Sequence, residues 1–134
     1  MYSAHHTVRF NEVDGANILF FSRLFEICHV AYEELLDEAG AGLREMLEDR
    51  DWRMPVVHAD GDFIAPMRLG DVITVEVSIA KTGRSSITWQ FELLGSAGSP
   101  LARARHVHAA VDTASFTSRP IPEELLEALR AAGH

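Results

Sequence analysis

Asp14 stands in a polar, turn-prone stretch, Asn11-Glu12-Val13-Asp14-Gly15-Ala16-Asn17, just ahead of the apolar run Ile18-Leu19-Phe20-Phe21 that leads into a helix start. Connections of this kind carry chemistry more often than cores do. A helix N-terminus offers unpaired backbone N–H groups and a partial positive charge, and so can hold a developing oxyanion. A carboxylate and a helix N-terminus delivered by one short segment are two parts of an acyl-hydrolysis site. The alternative is that Asp14 merely shapes a turn with Gly15.

Other groups compete for a role. His58, Asp60 and Asp62 recur at spacing two and so project from one face of a strand; His106 and His108 do the same on a later strand. Imidazole with carboxylate can bind a divalent metal, but a solvated or interface sheet face is the favoured reading, and no metal is assigned. The stretch Lys81-Thr82-Gly83-Arg84-Ser85-Ser86 sets a glycine between two cations and follows it with hydroxyls. That suits a phosphate or pyrophosphate, and it suits an ordinary hairpin turn. His29 shares one side of a helix with Glu26 and Glu33, which reads as local pairing or as an alternative catalytic carboxylate. Cys28 falls on the apolar side and reads as a small core hydrophobe. It cannot pair with His29 as a nucleophile, because adjacent helical residues point about 100° apart. No G-x-S-x-G elbow, P-loop or dinucleotide fingerprint is present.

The elements that must position these residues follow from periodicity. Tyr2 to Phe10 alternates as a strand, with Tyr2, Ala4, His6, Val8 and Phe10 on one side. Ser22 to Ala39 has helical spacing, with Leu24, Phe25, Cys28, Ala31, Tyr32, Leu35, Leu36 and Ala39 on the buried face, Ser22 as N-cap and Gly40 as the stop. Ala41 to Arg50 suggests a second short helix. Strands are expected over 54–64, 72–81, 86–94 and 101–112, with turns at Leu69-Gly70-Asp71 and Gly83 and a hairpin loop over 95–100. Pro122 opens a short C-terminal helix to Ala131. The short connections predict antiparallel neighbours, and one long apolar helix against one antiparallel sheet is an α+β design. The simplest way to bury both is to curl the sheet around the helix.

Composition bounds the rest. The chain has 134 residues, 47% hydrophobic and 24% charged, with no linker or repeat, which predicts one ordinary domain over 1–134. A net charge of −8 argues against general nucleic-acid binding. One cysteine excludes an intrachain disulfide and a Cys-rich zinc site. The first residues do not read as a signal sequence, and no apolar run approaches the ~20 residues of a membrane helix. A small, soluble, acidic, cytoplasmic protein is expected.

Two stretches then acquire a family likeness. Val8 to Phe21 resembles the opening motif of the 4-hydroxybenzoyl-CoA thioesterase family of hot-dog proteins, and Pro55 to Asp71 looks like its second segment. Ile27-Cys28-His29-Val30-Ala31-Tyr32-Glu33-Glu34-Leu35 is similar to the 1,4-dihydroxy-2-naphthoyl-CoA hydrolase branch. The resemblance implies a hot-dog fold, a five-stranded antiparallel sheet wrapped around the long helix, assembled as a homodimer or a dimer-of-dimers tetramer with sites at the dimer interface. It implies hydrolysis of an acyl-CoA thioester, aromatic or short-to-medium in its acyl group, without metal or organic cofactor. The motif aspartate maps onto Asp14, as nucleophile or as general base on water, and the backbone N–H that polarises the thioester carbonyl maps onto Phe21. Lys81, Arg84, Ser85 and Ser86 are the candidates for the CoA phosphates, with His58 counted among the substrate-binding residues. The chain reads Asp14-Gly15-Ala16-Asn17 where the family commonly has Asp-Pro-x-Gly or Asp-x-x-Gly, and Asn is the next-best residue after Gly where φ must be positive. Glu12 adds a second carboxylate two positions from Asp14; if the two are close, they share a proton. Two other readings are a hot-dog hydroxyacyl-thioester dehydratase, for which His58 is the candidate base, and a non-catalytic thioester-binding or assembly protein.

Overall fold

The computed structural model describes residues 1–134. The first strand, β1 (Tyr2–Thr7), ends earlier than the alternation suggests. Val8 remains buried, but Phe10 enters a 3-10 turn over Phe10–Glu12 and exposes its ring. The long helix α1 (Phe21–Glu38) follows. Its N-cap position is held by Phe20 in an extended conformation (φ −69°, ψ 136°) with no side-chain cap, so Ser22 lies inside the first turn instead of capping it. At the other end, Gly40 takes φ +77° and the N–H groups of Gly40 and Ala41 return to Asp37 and Leu36, closing a Schellman turn.

After the short helix α2 (Leu43–Asp49), the chain forms β2 (Trp52–Arg53), β3 (Val56–Phe63), β4 (Val72–Thr82), β5 (Ser86–Leu94), β6 (Pro100–Ala109) and β7 (Val111–Asp112), then α3 (Glu123–Ala131). Five strands make one antiparallel sheet in the order β1-β4-β5-β6-β3. This is the hot-dog arrangement expected, with two corrections. The strand expected over 101–112 is broken at Ala110, whose N–H turns aside to the Ser85 carbonyl; β7 beyond the break pairs with β2 as a separate two-stranded ladder. And β3 and β4, though joined by a short connection, are not neighbours. The connection crosses beneath the start of α1, anchored by the fully buried Met67.

The core lies between α1 and the concave face of the sheet. Leu24, Ile27, Cys28, Ala31, Tyr32, Leu35 and Leu36 meet Ile73, Val75, Val77, Ile87, Trp89, Phe91 and Leu93 from alternate positions of β4 and β5. Ile27 takes a core place that the spacing had not assigned it, while Phe25 is half-buried against the His106 ring, 5.9 Å between centroids. Gly61 marks the close approach of α1 to β3: a Cβ there would lie 2.9 Å from Leu24 Cδ2 and 3.1 Å from the Arg103 carbonyl oxygen. All eight residues of β3 are exposed, and β3 is hydrogen-bonded on one side only.

Candidate active site

The Asp14 segment is a miniature hairpin. The Phe20 N–H donates to the Glu12 carbonyl at 2.8 Å, the Asp14 N–H to the Ile18 carbonyl at 2.9 Å, and the Asn17 N–H to the Asp14 carbonyl at 3.0 Å. Asn17 takes φ 57°, the left-handed conformation its residue type tolerates. Its side-chain oxygen accepts the Leu69 N–H at 3.2 Å, and the Leu19 N–H reaches the Met67 carbonyl at 2.8 Å. The loop is thereby tied to the β3–β4 connection that passes under the helix.

Within this loop Asp14 Oδ1 accepts the N–H groups of Ala16 (2.8 Å) and Ile18 (3.2 Å), which fixes the carboxylate while leaving Oδ2 without a protein partner. Asp14 and Phe21 line one open cleft of about 440 Å³, walled by Phe20, Phe63, Ile64 and Pro66. Because no side chain caps α1, the Phe21 and Ser22 N–H groups have no acceptor within the fold. Asp14, with one carboxylate oxygen free, and Phe21, at the positive end of an 18-residue helix with its N–H free, therefore line one cleft with an apolar wall. Glu12 and Asp14 form no side-chain contact with each other. The Glu12 carboxylate turns inward, accepting the Arg9 N–H at 2.7 Å and lying 2.9 and 3.0 Å from His6 Nε2.

The remaining candidates separate. Lys81, Arg84, Ser85 and Ser86 occupy the β4–β5 turn, at the opposite end of β4 from the Asp14 loop. With roughly 3.3 Å of rise per residue that is on the order of 30 Å away in the same chain. Lys81 and Arg84 are exposed and belong to no ion pair, whereas Arg23, Arg44, Arg50, Arg103, Arg119 and Arg130 are each paired with a carboxylate. His58 lies on the convex face, 2.9 Å from Asp60 Oδ2, and does not line the Asp14 cleft. His106 and His108 face the other way, into the core, so the two alternating sets stand on opposite faces of the sheet and gather no metal-binding cluster. Glu26 pairs with Arg23 at 2.8 Å and Glu33 with His29 at 3.2 Å, the local helix pairing.

Sequence reasoning missed Phe63, Ile64 and Pro66 as walls of the cleft, since only the crossing of the β3–β4 connection brings them to α1. It also missed the His6–Glu12 contact. The signal available for that one was an imidazole and a carboxylate on either side of the same strand end.

A second apolar cavity of about 360 Å³ lies near the first residue of β3, between His29 and Tyr32 of α1, Met54, Val56 and Phe116.

Comparison with known proteins agrees with this fold. Residues 8–129 match the model of the thioesterase-like superfamily. A 1,4-dihydroxy-2-naphthoyl-CoA hydrolase of Rippkaea orientalis is 32% identical over 127 residues, covering 93% of this chain and 92% of the relative. The corresponding hydrolase of Nostoc punctiforme is 30% identical, covering 94% and 84%. The crystal structure of a 1,4-dihydroxy-2-naphthoyl-CoA thioesterase from Synechocystis superimposes with a TM-score of 0.90 at 26% identity, covering 99% of this chain and 98% of that one. With its hot-dog sheet, its helix-end cleft and a match running over nearly its whole length, the chain belongs to the thioesterase-like superfamily.

Proposed function

We propose that this protein hydrolyses an acyl-CoA thioester with an aromatic or short-to-medium acyl group, using Asp14 and the N-terminus of α1. The observation that carries the reading is the shared cleft: Asp14, whose Oδ2 has no protein partner, and Phe21, whose N–H has no acceptor, line the same space. A thioester carbonyl is already electrophilic and needs one positioned carboxylate and one or two N–H donors aimed at the forming oxyanion. Asp14 adds to the carbonyl carbon, or removes a proton from the water that adds. Charge develops on the carbonyl oxygen against the helix end, the C–S bond breaks, and the thiolate leaves to take up a proton. In the nucleophilic route, water then opens the acyl-aspartyl anhydride. The phenyl rings of Phe20, Phe21 and Phe63 favour a flat acyl group, in keeping with the aromatic substrate that the relatives' names state.

The reading includes a homodimer formed through β3, alone or within a tetramer. Exposed apolar side chains line that edge, among them Val57, Phe63 and Ile64, and Phe21 of α1 lines the same cleft as Phe63 and Ile64. Antiparallel pairing of two β3 strands reverses the second copy end for end. Lys81 and Arg84 of the partner subunit, with the adjoining hydroxyls of Ser85 and Ser86 of the partner subunit, would then sit at the end of the assembly where Asp14 opens. That turn carries two of the exposed cations outside any ion pair, the others being Arg9, Arg68 and Arg105, and the pairing would let a residue set so far from Asp14 in one chain serve the same ligand. The convex position of His58 gives no support to the dehydratase reading.

The test follows free thiol release from a panel of aroyl- and acyl-CoA esters. Asp14→Asn is expected to lower turnover by about two orders of magnitude or more with its circular dichroism unchanged, and His58→Ala to retain activity. An unchanged rate in Asp14→Asn removes the site; binding without turnover in the wild type supports the non-catalytic alternative.

A further inference from the structure

We propose that Glu12, held by His6, is a positioning residue that sets the distance between Asp14 and the helix N-terminus. The inference rests on the hydrolase reading above and adds to it a part of the machinery outside the cleft.

Glu12 is buried, 9% exposed, although it is a carboxylate one turn from the surface. Burying such a group is costly unless donors satisfy it. Here the Arg9 N–H donates to Oε1 at 2.7 Å, and His6 Nε2–H spans both oxygens at 2.9 and 3.0 Å. His6 is itself registered opposite Ile73 in the β1–β4 ladder, so the carboxylate is fastened to the sheet. The backbone carbonyl of Glu12 receives the Phe20 N–H at 2.8 Å. Glu12 therefore grips the chain on both sides of the loop: its side chain holds the strand that enters, and its main chain holds Phe20, the residue just before α1. Asp14 is two residues beyond one grip, and Phe21 is one residue beyond the other. The separation of the reacting carboxylate from the oxyanion donor is thus set across the Glu12–Phe20 hydrogen bond. A displacement of about 1 Å in such a pair costs on the order of a hundredfold in rate. Glu12 and His6 do not line the cleft, so a change in them leaves the apolar walls that bind substrate in place.

The experiment compares Glu12→Ala, Glu12→Gln, His6→Ala and the Glu12→Ala/His6→Ala double variant. Glu12→Ala is expected to lower kcat about 30- to 100-fold with KM within about threefold, because positioning is lost and binding is not. Glu12→Gln, whose amide oxygen still accepts from Arg9 and His6, should recover activity to within about fivefold of wild type. The double variant should be no worse than Glu12→Ala alone, as expected of two residues acting as one unit. A kcat unchanged in Glu12→Ala overturns the proposal. So does a parallel loss in Glu12→Gln, or a loss that tracks only the folded fraction. A second readout stands apart from catalysis: amide exchange at Ile18 and Phe20 should accelerate at least about tenfold in Glu12→Ala while the amides of the middle of α1 keep their protection. Should the wild type hydrolyse no thioester, the functional reading fails on its own, and this exchange measurement still decides the structural claim: unchanged exchange overturns it.

Discussion

The oxyanion role proposed for Phe21 belongs to its main chain, and that can be separated from its ring. It is the first residue of α1, where proline is well tolerated because the N–H it lacks is an orphan in any case. Phe20 is already extended, the conformation proline demands of its predecessor. Phe21→Pro is therefore expected to keep the helix by circular dichroism and to lower kcat by about 10²–10³-fold, as loss of an oxyanion donor does elsewhere. Phe21→Ala keeps the N–H and should hold kcat within about tenfold, with the larger change in KM. Equal kcat in the two variants would place the donor at another residue. Cys28 illustrates the opposite case, a reactive type used for packing. It is fully buried, desolvation pushes its thiol up to about 12, and it touches none of the cleft.

Among the elements, β3 and the start of α1 have to approach closely for the cleft to close, and Gly61 is what permits it. A side chain at that position meets the end of the buried Leu24 and the backbone carbonyl of Arg103. Gly61→Val is expected to destabilise by about 1–3 kcal/mol, visible in Tm, since the Arg103 carbonyl is backbone within the sheet and Leu24 is fully buried. Because Leu24 lies in the first turn of α1, the same variant should lose activity beyond what its stability explains when both are measured at a temperature where it is fully folded. Full activity in a destabilised Gly61→Val would show that the helix start tolerates the shift. The uncapped N-terminus of α1 fits the same proposal: a side-chain cap would add stability, commonly about 1 kcal/mol, and would occupy the donors assigned there to the oxyanion.

At the scale of the whole molecule, the core contains two imidazoles. His106 and His108 are buried against α1, and loss of hydration is the leading cause that lowers each to about 4 from 6.5; His29 lowers both further, while the Met54 carbonyl at 3.0 Å from His108 Nδ1 opposes the shift there. The unfolded chain takes up protons on these residues below about 6.5, and the folded chain does not until about 4. Their contribution is therefore intact above pH 6.5, erodes as pH falls toward 4, and is worth roughly 3 kcal/mol for each group across that window. Tm measured from pH 7.5 to 4.5 should fall steeply in the wild type and less steeply in His106→Phe, where an apolar ring joins Phe91 and Phe25. A pH-independent Tm over that range would contradict the assignment. The assembly is the other property of the whole. Light scattering at micromolar concentration is expected to give a dimer or tetramer, and Val57→Asp, at an exposed apolar position of the β3 edge, a monomer with little activity.

Local pattern was enough to recover most of what is local. Alternation over 72–81 and 86–94 gives strands because side chains on a half-buried sheet have a period of two, and Leu24, Cys28, Ala31, Tyr32, Leu35 and Leu36 mark a helix face because the helical period is 3.6. Asn17 at the left-handed position and Gly40 at the helix stop were likewise readable, since each meets a backbone demand that few residue types satisfy. Chain folding beyond those periods decided the rest. Nothing in the spacing says that β3 leaves its successor and pairs with β6, or that the chain breaks away at Ala110, or that His58 and His106 look out from opposite faces. Those outcomes depend on which strand edges meet, a long-range choice made by packing against α1. The same choice carries Phe63 and Ile64 to Asp14 and turns Glu12 inward to His6, so the residue types of the cleft were visible in one dimension while its shape arose only in three.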